Sequence, residues 1–210
     1  MLDRLRNLIY RWRWPLLGGL AACALGLLWL APAERTLGDI AKLVYVHGAL
    51  VRTAILLFAI SLPVNIVVIA SNSRSWASWG IGLGWVAAGV WWLHALFSPI
   101  PTYAAWGIAV AWYEPRTRFT FVLAGLALVV VVVEQLVRNR RFSAAVMALL
   151  AGLTLYLTPQ LDLVQHPLDP IGSSSAAAIR VSYTALLLAS AAMGGVLTVW
   201  AATIRRDETP

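Results

Sequence analysis

The sequence predicts an all-α, polytopic integral membrane protein, a single six-helix domain over residues 1–210, on three observations: its composition, its long apolar runs and its arginine distribution. Of the 210 residues 60% are hydrophobic and 12% charged, against about half and about a quarter in an ordinary soluble domain. Water is therefore not the main solvent. Six apolar segments follow one another at residues 14–31, 48–70, 76–97, 119–137, 142–157 and 175–204, each bounded by charge clusters or by proline and glycine. Each is about long enough to cross a bilayer as a helix. The runs are continuous and lack the alternation of a barrel strand, which leaves helices as the structure that satisfies every backbone hydrogen bond in lipid.

The first segment follows Arg4, Arg6, Arg11 and Arg13, a layout shared with signal peptides. Pro32 spoils Ala31-Pro32-Ala33 as a cleavage site, and the run is long enough to cross, so an uncleaved first span is expected. Alternate sides of the bundle then collect arginine unequally. One side receives those four with Arg74, Arg138, Arg140, Arg141, Arg205 and Arg206, whereas the other holds Arg35, Lys42, Arg116 and Arg118. The positive-inside rule places the first set, and with it both termini, in the cytoplasm, which requires an even number of spans. The loops 71–75 and 138–141 are tight turns on that side. The longer loops 32–47, 98–118 and 158–174 fall on the outer side, where a ligand-handling surface is expected.

The formal charge of +7 is explained by this topology, and no nucleic-acid partner is assigned. Cys23 is the only cysteine, which excludes an internal disulfide, a Cys-x-x-Cys relay and a thiolate metal cluster. Glu134 is expected to pair with Arg138 at i, i+4. Gly80, Gly82, Gly84, Gly194 and Gly195 read as points of close helix contact.

All three histidines, His47, His94 and His166, fall toward the outer side. Any one of them alone reads as an amphipathic anchor at the interface. Imidazoles converging from separate helices make a metal or haem-iron site. The loop from Tyr103 to Arg118 is aromatic and apolar and ends in mixed charge. Tyr103, Trp106, Val110 and Tyr113 recur at helical spacing, which predicts a short interfacial helix with its indoles at headgroup depth. The alternative is a flat platform for a porphyrin face, with Arg116 or Arg118 pairing with propionates. Arg52 and Arg180 stand inside predicted spans, where a charge is costly; they either snorkel to the interface or face an outer cavity and bind an anionic group.

At this loop the sequence resembles the haem-handling membrane proteins of cytochrome c maturation with a tryptophan-rich outer motif, and within them it is most similar to CcmC. Trp106-Gly107 resembles the start of that motif, Trp112 its last tryptophan, and Glu114-Pro115-Arg116-Thr117 its acidic-to-threonine close. Tyr45-Val46-His47 resembles the family's histidine at the start of its second span, and Gln165-His166-Pro167 its second histidine region. Ile108, Ala109, Val110 and Ala111 stand where the family carries its middle tryptophans.

The resemblance implies non-covalent, transient binding of haem b, with His47 and His166 as axial ligands, against Trp106, Gly107 and Trp112. Glu114, Arg116, Arg52 and Arg180 would complete the site. It further implies a bacterial inner-membrane location, ATP-binding-cassette transporter subunits and a periplasmic haem chaperone as partners, and delivery of haem rather than bond-making catalysis. The lost tryptophans support an alternative, a structural non-haem subunit of a larger membrane complex. A small-solute transporter is the weakest reading, since the sequence has no internal repeat.

Overall fold

The computed structural model of the chain describes residues 2–162, 164, 171–172 and 174–208. Among them run α1 (Leu2–Arg11), α2 (Arg13–Leu30), α3 (Ile40–Ser71), α4 (Arg74–Phe97), α5 (Pro99–Trp106), α6 (Pro115–Val137), α7 (Arg140–Leu157), a 3-10 turn at Thr158–Gln160, and α8 (Ala177–Glu208). Six segments are long and apolar enough to cross a membrane: α2, α3, α4 with α5, α6, α7 with its 3-10 turn, and α8. The protein is a multi-pass helical membrane protein.

Short side-chain and backbone signals end these helices. Asn72 and Arg138 take left-handed conformations, φ 50° and 49°, and return their N–H groups to the carbonyls of Val68 and Glu134. Asn139 caps α7 by accepting the Phe142 N–H at 3.0 Å. Ser98 keeps helical geometry between α4 and α5, but Pro99 and Pro101 lack the N–H groups that would carry one ladder through. The helix expected over the aromatic loop stops at Trp106. Gly107 turns left-handed at φ 71°, and 107–114 is irregular. Val110 and Tyr113 therefore do not share a helical face with Tyr103.

Small residues bring α3, α4, α7 and α8 together. The Asn65 amide on α3 donates to the carbonyls of Ser61 and Gly80, each at 2.9 Å. A Cβ on Gly80 would stand 2.7 Å from Asn65 Oδ1, and one on Gly82 would stand 3.0 Å from the Ala202 backbone nitrogen of α8. Glycine at these positions is what lets the helices approach. The core between α3, α4, α6 and α7 is built around Phe58, Trp91, Leu123 and Leu150, with alanines between them. By contrast α2 packs chiefly on α8 and buries only Ala24.

The rings of Trp14, near the start of α2, and Trp200, near the end of α8, lie 5.3 Å apart. The described ends of the chain thus share one end of the bundle, here called the terminal end. There Glu134 has a different partner from the one its spacing predicts. Arg138 is the left-handed cap of α6 and leaves the helical register, while Arg205 of α8 donates to both Glu134 oxygens.

Candidate functional site

The end of the bundle opposite the termini carries a cavity of about 200 Å³. On α3, His47, Val51 and Ile55 recur every fourth residue and so share one face, with Arg52 beside them. Trp91 and His94 on α4, with Ser98 just after its end, repeat at three and four residues and form the facing wall. Thr102 of α5 and Arg116, Phe119 and Thr120 from the first turns of α6 close the sides.

The two imidazoles belong to helices joined by a tight turn, and their rings lie 4.5 Å apart at 46°. His94 is 3% exposed, and its Nδ1 has no hydrogen-bond partner among the described residues. A buried imidazole nitrogen without a partner costs free energy. Trp91 supports the pair from beneath. Its ring lies 5.5 Å from His94, 5.9 Å from Phe119 and 6.4 Å from Phe58, and its indole N–H donates to the Thr120 carbonyl at 3.0 Å. That bond fixes the indole between α4 and α6.

Two guanidinium groups bring positive charge to this apolar recess. Arg52 lies with its guanidinium carbon 5.5 Å from the Tyr183 ring of α8. Arg116 lines the cavity and is partly buried, whereas Arg118 is exposed and off the lining. Glu114 is fully buried at the N-terminus of α6, where the helix dipole favours a carboxylate, and accepts a long bond from the Val164 N–H at 3.4 Å.

The structure thus brings together His47, Arg52 and Arg116 from the expected set and adds His94 and Trp91. Trp106 and Gly107 end α5 off the lining, and Trp112 is 59% exposed with its ring 5.2 Å from Phe121. Arg180, at the start of α8, is exposed and donates to the Ser174 carbonyl. His166 lies outside the described residues. Trp91 carried no sequence signal of its own, although its three-residue spacing from His94 puts the two on one face.

The donor set suits a haem: imidazole for iron, guanidinium for propionate, and an aromatic and aliphatic wall. One geometric limit follows from the imidazole pair. Metal–imidazole bonds of about 2.0–2.1 Å on opposite faces of a macrocycle would hold two ring centres more than about 6 Å apart. His47 and His94, in contact, do not sandwich a porphyrin between them. The cavity is also below the roughly 300–1,000 Å³ of pockets that enclose small ligands, so it is too small to enclose a whole macrocycle.

Compared with protein-family models and with curated proteins, the chain matches none.

Proposed function

We propose that this protein is a haem-handling membrane protein similar to CcmC, which holds haem b non-covalently and transiently and presents it to a partner in cytochrome c-type biogenesis. In this reading the arginine-rich terminal end faces the cytoplasm of a bacterial inner membrane and the cavity opens on the outer face. The observation that carries it is the meeting of two imidazoles, Arg52, Arg116 and Trp91 in one recess.

A bound haem would supply an iron for an imidazole nitrogen and two propionates for charge-assisted hydrogen bonds. On this chain His47 would provide the nitrogen, Arg52 and Arg116 would pair with propionate, and Trp91, Phe119 and Ile55 would cover an apolar edge. His166 is carried as the second ligand by resemblance alone. A recess too small to enclose the macrocycle leaves part of it reachable, which suits delivery to a haem chaperone working with ATP-binding-cassette transporter subunits.

The experiment is an absorption spectrum of the detergent-purified protein, oxidised and reduced, for wild type, His47→Ala and His166→Ala. A Soret band in wild type that either substitution weakens is the expected result. A wild type that takes up no haem when haem is supplied overturns the proposal. That result would favour the second reading, a structural subunit of a larger membrane complex, which the outward-facing Trp112 and the small recess support.

A further inference from the structure

The cavity beside His47 and His94 is lined by two arginines and two histidines and, among the described residues, by no acidic side chain. Glu114, the acidic residue closest to Arg116 along the chain, is fully buried off the lining and accepts the Val164 N–H. Arg52 brings its charge from a position beside the Tyr183 ring of α8. Arg116 differs, because its Nε–H is buried and meets no acceptor among the described residues. His94 adds a second such nitrogen, Nδ1, on a side chain only 3% exposed. A buried donor without an acceptor costs free energy, and a buried cation without a counter-charge costs more.

These features select the charge, size and shape of an occupant. Positive charge with no carboxylate on the lining repels a metal ion and attracts an anion. The two oxygens of a carboxylate match two buried donors, the Arg116 Nε–H and the Nδ1–H that one neutral tautomer of His94 presents. The volume, about 200 Å³, is that of about six waters at about 30 Å³ each, which suits a short acid. Val51, Ile55 and Phe119 offer apolar surface to its alkyl tail. We infer that this cavity is a binding site for the carboxylate of a short alkyl acid, held by Arg116 and His94. The acid is either a propionate arm of the haem proposed above or a free acid of the same kind, and the site itself does not require the haem reading.

Ligand-observed NMR on the haem-free, detergent-purified full chain, titrated with propionate, formate or propionamide, tests this. Wild type is expected to bind propionate at least about tenfold more tightly than propionamide, which has the shape without the charge. It should bind propionate about tenfold more tightly than formate, which has the charge without the tail. Arg116→Gln should weaken propionate binding at least about tenfold. Arg118→Gln, which changes an exposed arginine off the lining, should leave it unchanged. Competition separates the two sources: haem that displaces propionate where haem dimethyl ester does not identifies the propionate arm, and failure of both identifies a free acid. A wild type that binds propionate yet takes up no haem upholds this site and removes only the haem reading. Equal binding of propionate and propionamide by wild type, which depends on no variant, overturns the inference. So does formate binding as tightly as propionate, and so does an equal loss with Arg118→Gln, which would mean diffuse attraction.

Discussion

Glu134 and Arg205 form a two-point clamp: Arg205 donates from Nη1 to Glu134 Oε1 at 2.9 Å and from Nη2 to Oε2 at 2.6 Å. The Trp85 indole N–H of α4 reaches the same Oε2 at 3.0 Å, and the guanidinium sits 4.1 Å from the centre of the Trp85 ring. Three helices, α4, α6 and α8, therefore meet at one carboxylate, which is only 4% exposed.

Removing the arginine leaves the buried Glu134 carboxylate without this counter-charge. Arg205→Leu is expected to cost about 3–5 kcal/mol of stability, and Arg205→Leu combined with Glu134→Leu to recover most of that loss, because a buried pair contributes little net but its orphaned half is costly. Thermal unfolding in detergent of the two single variants and the double variant checks this. Equal, additive losses would show that the residues act separately.

Arginines that line the cavity are expected to behave differently from the one that does not. Arg52→Leu and Arg116→Leu should each weaken haem retention about ten- to a hundredfold, as expected for loss of a charge-assisted bond of roughly 1.5–3 kcal/mol. Arg180→Leu should leave it unchanged, since Arg180 is exposed and bonded to Ser174. Titration of the purified variants with haem separates the three.

Two glycines on α4 should respond in opposite directions to alanine. At Gly82 the new Cβ meets the Ala202 backbone at 3.0 Å, and backbone yields poorly, so Gly82→Ala should cost about 1–3 kcal/mol. At Gly89 nothing lies within 4 Å. Gly89→Ala should stabilise by about 0.5–1 kcal/mol through the helix interior's preference for alanine. Melting temperatures of the two variants give the signs.

Glu34, in the loop between α2 and α3, accepts the N–H groups of Thr36 at 2.7 Å and Leu37 at 2.8 Å. These bonds hold its carboxyl below the ordinary value of 4.5. A carboxylate with a depressed folded pKa contributes its stabilisation in full above the unfolded value and loses it as the pH falls through the folded one. Amide exchange at Thr36 and Leu37 should therefore show no pH effect from this group near neutrality and loosen only below about pH 4.5. In Glu34→Gln that acid-side transition should be absent.

The spans were legible in the sequence because long, predominantly apolar runs admit few alternatives, yet their ends followed local chemistry that hydropathy does not carry. The helix α3 begins at Ile40 rather than near Gly48, so His47 stands about two turns inside it instead of at its mouth. The aromatic loop looked helical to Tyr113 because its spacing was right, but Gly107 took the left-handed turn that ended α5. Spacing along one helix also named the wrong partner for Glu134, since the true one is 71 residues away. Of the site, His47, Arg52 and Arg116 stood out as polar residues in or beside apolar runs. Trp91 did not, because a tryptophan in a membrane span is unremarkable until its neighbours are known. His94 became part of the site only through the α3–α4 hairpin, a property of topology that no single segment contains.

The reliance of α2 on α8 bears on how the chain is made. This helix leaves the ribosome long before α8, the neighbour on which it chiefly packs. It must therefore persist in lipid through most of synthesis as a solitary crossing, held by its own backbone ladder and apolar surface, in the manner of two-stage membrane folding. Until α8 arrives, Trp14 has no Trp200 to meet, and the bundle is assembled from its middle outward.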